Sequence, residues 1–180
     1  MAVALAVASC SADNSAAPVP SPSSSSSPAA TGTIATLPAG AVPSGFEAVT
    51  LRITAADGSV RESCVLIAVA ETDRARGLMD VDSLGGYDGM IFRFGAPTTA
   101  RFYMYRTRLP LSVAFFDADG AFVSARDMAP CTASDGGDCP LYAADGPYVD
   151  ALEMVQGGLG PFGIGPASRI DVGDACSRSP

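Results

Sequence analysis

Tyr103-Met104-Tyr105-Arg106-Thr107 is the stretch of this sequence best equipped to hold a ligand. Alternation along an extended chain sets Tyr103 and Tyr105 on one side and Met104 and Arg106 on the other. If the sheet packs on one side only, one of those faces is solvated or meets a partner. Tyrosine rings beside guanidinium groups suit stacking on sugars and binding of carboxylates or phosphates. With Arg76 upstream and Ser112 downstream, the candidate ligand-binding set is Arg76, Tyr103, Tyr105, Arg106, Thr107 and Ser112. The competing assignment is a cross-strand tyrosine pair among ordinary surface arginines.

Carboxylates offer a second chemistry. Glu153 with Asp117 or Asp119 would supply the two acids of a glycosidase-type hydrolase, if the fold brought them together. Glu153 stands between Leu152 and Met154, which also fits a buried acid satisfying an arginine. Asp117-Ala-Asp119-Gly120 begins like a calcium loop, but Ala121 and Met128 stand where further ligands are needed, so a hairpin turn is the better reading. Gly158-Leu-Gly160-Pro-Phe-Gly163 has dinucleotide-fingerprint spacing, yet Pro161 interrupts the required helix and 17 residues follow Gly163.

The chain has no histidine, and all 11 of its basic residues are arginine. Ser-His-Asp and Cys-His catalysis, imidazole metal ligation and lysine Schiff bases are therefore excluded. The net charge of −8 opposes nucleic acid and anionic membrane surfaces as direct partners. No cofactor or metal is expected, and the cysteines lack paired C-x-x-C spacing.

Five cysteines fit one lipidated residue plus two bridges. The remaining four cysteines allow three connectivities. Cys131 and Cys139 flank a Gly- and Asp-rich loop that closes easily and are the expected pair, with Cys64 in an early strand expected to meet Cys176 past the last one. The chain-entropy model assigns about 2.6 kcal/mol to the short bridge and about 4.8 to the long one, before any native-state strain.

The elements that position these groups follow from punctuation and alternation. Residues 1–10 are expected to be a partial lipoprotein signal ending at the lipobox cysteine, Cys10: an uncharged apolar run leads into Val7-Ala8-Ser9-Cys10, with no basic residue before it. Residues 11–45 hold nine Ser, six Pro and eight Ala, a disordered tether spanning about 30–35 Å. Residues 46–176 form the head, and 177–180 a tail. Strands are expected at Phe46–Thr54, Val60–Ala70, Met90–Phe94, Arg101–Arg106, Leu111–Phe116, Ala121–Arg126, Tyr148–Val155 and Ser168–Val172. Asp57-Gly58 and Asp119-Gly120 mark hairpins. Thr72 is the expected cap of one short helix that stops at Gly77. Met79, Met90, Met104 and Met154 are core candidates, while Met128 is free to be exposed.

A set of short motifs now falls into order. Arg76-Gly-Leu-Met79, Gly89-Met-Ile-Phe-Arg-Phe94, Phe102-Tyr-Met-Tyr-Arg-Thr107 and Leu109-Pro-Leu-Ser-Val-Ala-Phe115 are followed by Pro130-Cys131, Tyr148-Val149, Leu152-Glu153 and Gly163-Ile164. Over residues 65–175 the chain resembles the bacterial and archaeal domain of unknown function number 192. The resemblance implies a compact, jelly-roll-like β-sandwich and no established activity. That family usually carries Phe-Trp-Met-Lys-Asn-Thr and then Ile-Pro-Leu-Asp, where this chain has Tyr103, Tyr105, Arg106 and Ser112 at the Trp, Lys, Asn and Asp positions.

The expectation is a mainly β, jelly-roll-like sandwich with one short helix behind a disordered tether. It would sit on the extracytoplasmic face of the cell membrane, in contact with the membrane through its lipid only. It would act as a non-enzymatic module for a small polar ligand, a glycan or an envelope protein. The alternative is an envelope hydrolase that uses Glu153 with an aspartate.

Overall fold

The computed structural model describes residues 43–177; the expected lipobox with Cys10, residues 11–42 and the last three residues lie outside them. The strands are β1 (Glu47–Thr54), β2 (Val60–Ala68), β3 (Met90–Thr98), β4 (Leu111–Phe116), β5 (Phe122–Met128), β6 (Tyr148–Val155) and β7 (Arg169–Ala175). One α-helix, α1 (Glu71–Arg76), lies between β2 and β3.

Two hairpins form where their turn chemistry places them. Gly58 takes φ +80°, and the Asp57 carboxylate accepts the Ser59 N–H at 2.8 Å. In the second turn the Asp117 carboxylate accepts the Asp119 and Ala121 N–H groups, each at 2.9 Å. Its oxygen is thus committed to the backbone, as a hairpin requires. Gly120 is needed on two counts: its φ is +75°, and a Cβ there would stand 2.1 Å from the Ile170 carbonyl oxygen.

All seven strands join one sheet in the order β5-β4-β6-β3-β2-β1-β7, antiparallel except for the β2–β3 pair. Accumulated twist brings the two edge strands together at one end. There Ala121 bridges Arg169, Phe122 N–H donates to Ser168 at 3.0 Å, and Ile170 N–H donates to Gly120 at 2.9 Å. The head is mainly β with one short helix, as expected. In place of the two layers expected of a jelly-roll-like sandwich, the described strands form one sheet curled until its edges touch.

The sheet buries both faces. The inner face gathers Leu51, Ile53, Ile91, Phe116, Leu152 and Ile170. The outer face gathers Met90, Phe92, Leu111, Val113, Phe115 and Tyr148, and is roofed by Leu78, Val81 and Leu84 with Met104. Every residue of β4 is buried, and all but Ser112 are apolar, as a strand covered on both faces requires.

Three expectations are corrected. Residues 101–106 form no strand: Phe102 and Tyr105 make isolated bridges to Tyr142 and Cys131, and Arg106 turns the chain at φ +53°. The stretch is pinned as a roof over the outer face and is not laddered into the sheet. Thr72 lies within α1, and the N-cap is Ala70, in extended conformation with no side-chain cap bond. Met128 is fully buried, because β5 extends to it and pairs it with Leu111. Both expected bridges are present: Cys64 is bonded to Cys176 and Cys131 to Cys139, with Cα–Cα distances of 6.0 and 5.7 Å.

Candidate functional site

Strand alternation decides which side chains of β6 face outward. Leu152 and Met154 point to the inner face, and Ala151 belongs to the outer one, so Glu153 faces outward too. The register sets it between Met90 of β3 and Val113 of β4. The next row is Phe92, Ala151, Phe115. A cavity of about 370 Å³ opens above this part of the sheet, and Phe92 and Glu153 line it.

Glu153 lines that cavity, 5% exposed, with no hydrogen bond or ion pair to the described residues. Burial alone pushes its carboxyl up to about 8. Near neutral pH it is therefore mostly protonated, a donor at the base of an apolar hollow.

The walls are aromatic. Phe92, Phe94, Phe102 and Tyr103 all line the cavity. Phe92 meets Phe102 edge-on at 5.2 Å, and Phe102 meets Phe115 at 5.7 Å. Phe94 packs edge-on against Tyr148 at 5.4 Å, and the Tyr148 hydroxyl donates to the Ala100 carbonyl at 2.9 Å. These rings hold the 100–103 segment over β3 and β6. Gly77 closes another side at φ +45°; a Cβ there would sit 3.1 Å from the Phe92 ring.

The mouth is polar. Glu71, Arg74 and Ala75 present one face of α1 to it, at the i, i+3 and i+4 spacing. Arg74 donates to the carbonyls of Val69 and Arg93 and lies 4.8 Å from the Phe94 ring centroid. Arg76 lies 4.1 Å from the Phe46 centroid and also borders a smaller hollow of about 170 Å³. Arg101 is exposed at the rim, without an ion pair among the described residues.

Of the residues singled out in the sequence, the structure brings Arg76, Tyr103, Thr107 and Glu153 to this one cavity. Tyr105, Arg106 and Ser112 are placed elsewhere. The Tyr105 hydroxyl donates to the Ser134 carbonyl at 3.3 Å, and its ring packs on Gly136 in the Cys131–Cys139 loop. Arg106 pairs with Asp80, and Arg108 with Asp82 at 2.8 Å, tying the two roof segments together. Ser112 is buried, donates to Asp127 and accepts the Gly157 N–H at 3.3 Å.

Glu153 does not satisfy an arginine, as a structural acid was expected to. That role falls to Asp150, which takes Arg93 through two bonds of 2.9 Å. Asp117 lies four positions along β4 from Val113, the neighbour of Glu153, roughly 13 Å away along the strand. Neither it nor Asp119 lines the cavity.

The sequence reading missed Glu71, Arg74, Phe92, Phe94, Arg101 and Phe102. Two signals pointed to four of them: the period-2 run Met90, Phe92, Phe94, and the spacing of Glu71 from Arg74 on a short helix. The Gly158–Gly163 motif ends in a single 3-10 turn at Gly160–Phe162, with Gly163 at φ +77°. Among the described residues, no three His, Cys, Asp or Glu side chains gather to hold a metal ion.

This architecture has relatives. A crystal structure of a candidate transcription regulator from Sinorhizobium meliloti 1021 superposes with a TM-score of 0.63 at 24% identity, covering 71% of this chain and 95% of that one. At that identity the likeness shows the fold alone. A protein of unknown function from Novosphingobium aromaticivorans DSM 12444 gives a TM-score of 0.62 at 29% identity, covering 74% of this chain and 92% of that one. No curated protein matches. The family model DUF192, described as an uncharacterized ACR, matches residues 52–172. With that match across most of the head, the chain belongs to the DUF192 family.

Proposed function

We propose that the head is a non-enzymatic binding module that takes a small ligand into the cavity above Glu153. The observation that carries this reading is a nine-tenths-buried glutamate, Glu153, with no partner among the described residues, lining an aromatic-walled hollow of about 370 Å³. Concave, largely apolar sites with a few convergent polar groups are the usual form of small-ligand pockets. The lipobox and the Ser/Pro/Ala stretch support the rest of the proposal, a head held off the extracytoplasmic membrane face on a lipid-anchored tether. Intact mass of membrane-extracted protein should show a diacylglyceryl group on Cys10; a soluble, unmodified chain retaining Met1 rules the anchor out.

A thermal-shift panel on the purified chain tests the binding reading, with wall sugars, peptidoglycan fragments, organic and phosphate anions, and divalent cations. A ligand at 100 times its Kd adds about 2.7 kcal/mol, a shift of several degrees. The shift should vanish in Tyr103→Ala, which removes a partly exposed wall residue. A flat panel with the fold intact defeats the small-ligand reading and turns attention to a protein partner.

A carboxylate hydrolase is the second reading. Glu71 favours it, since it shares the cavity with Glu153, whereas Asp117 and Asp119 do not. Turnover of nitrophenyl glycosides, lost in Glu153→Gln with the fold intact, would establish it; no turnover with any of them would end it.

A further inference from the structure

We propose that the cavity recognises a compact aromatic or apolar anion, seated with its carboxylate or phosphate at the arginine mouth and a hydrogen-bonding group at Glu153. This rests on the cavity being a ligand site and names the class of ligand.

The distribution of arginines carries the inference. Ten arginines fall among the described residues, and five of them, Arg52, Arg93, Arg106, Arg108 and Arg126, are ion-paired with carboxylates. Of the five that are not, Arg74, Arg76 and Arg101 line this one cavity. The chain carries a net charge of −8, so acids are in excess, yet only Glu71 among them stands with these three at the mouth. Guanidinium groups left without carboxylates around an opening are placed to receive an anion.

The second observation is independent. Glu153 is more than nine-tenths buried, has no partner among the described residues and lines the same hollow. A ligand polar at one end only would leave it unsatisfied. Between the two polar ends lie the Phe92, Phe94, Phe102 and Tyr103 rings, which select an apolar body. Size is set by volume: a cavity of about 150 Å³ holds benzene, so about 370 Å³ suits a ligand of roughly ten to fifteen non-hydrogen atoms.

Calorimetric titration of the full chain with four probes tests this: 4-hydroxyphenylacetate, its neutral analogue 4-hydroxyphenylacetamide, phenylacetate and phenyl phosphate. The acid should bind at least tenfold more tightly than the amide. That gap should close as NaCl rises from 0.05 to 0.5 M. Arg101→Gln, at an exposed position, should weaken the acid at least fivefold and leave the amide within twofold. Loss of the hydroxyl should weaken binding in the parent chain and have no effect in Glu153→Leu. Phenyl phosphate binding more tightly than phenylacetate makes the head group a phosphate monoester, and the reverse makes it a carboxylate. Equal affinity for acid and amide, no response to Arg101→Gln, or no binding of any probe overturns the inference. If a sugar or a cation shifts the melting temperature while all four probes fail, the cavity is still a ligand site and only its class is wrong.

Discussion

Leu152 and Glu153 are neighbours on β6, and they belong to two different environments. The inner face around Leu152 contains aliphatic side chains, Phe116 and Met154, and is closed by the curl of the sheet. The outer face around Glu153 is floored by strands but roofed by loops, and loops leave a hollow over Phe92 and Glu153. Close packing inside secures the fold, so the outer face can keep an open cavity and an acid that no described residue pairs. The neighbouring pair Asp150–Arg93 sharpens the contrast: there a carboxylate on the same strand is fully engaged.

The largest expected effect lies inside. Phe116→Ala should cost about 3–5 kcal/mol in urea unfolding, since Phe116 is fully buried and its loss opens a void that the curled sheet cannot collapse around. A cost below about 1 kcal/mol would mean that the inner face is not the stabilising one.

Asp150→Ala comes next, at about 2–4 kcal/mol. The carboxylate side chain is 8% exposed and holds Arg93 through both oxygens, so its removal strands a half-buried guanidinium. Asp150→Ala unfolding at the parent's denaturant midpoint would sink this assignment.

Glu153→Gln should go the other way. The folded chain holds this carboxyl up to about 8, against about 4.3 when unfolded. Its favourable contribution is complete below the unfolded value, and is lost as pH rises through the folded one. Stability of the parent should therefore fall between about pH 4.5 and 8 relative to Glu153→Gln. The variant should match the parent near pH 4 and exceed it at pH 8 by about 1–3 kcal/mol, less than the full shift because the cavity opens to solvent. Parallel pH profiles would show that the carboxyl is ionised in the folded chain and that the two faces differ less than the burial implies.

The sequence alone determined much of the frame. Alternating β-rich runs and Asp-Gly turns placed the strands, because hairpin φ angles and the two-residue period are local properties. The cysteine positions left three connectivities, of which the structure shows the expected one, and the ordered motifs carried the family. Composition excluded imidazole and lysine chemistry outright, since no fold can supply a missing side chain. What only the tertiary structure decided was which residues share a space. Segment 101–106 alternates like a strand, but disulfide-supported contacts and Arg106 at φ +53° make it a roof. That separates Tyr103, at the cavity, from Tyr105, on the cysteine loop. Arg101, Arg74 and Glu71 come from segments that meet Glu153 only after the sheet has assembled, through long-range pairing that local spacing does not encode. The partner of a buried acid is likewise a matter of register: one residue along β6 separates an inward leucine from an outward glutamate, and three separate that glutamate from the aspartate that holds Arg93.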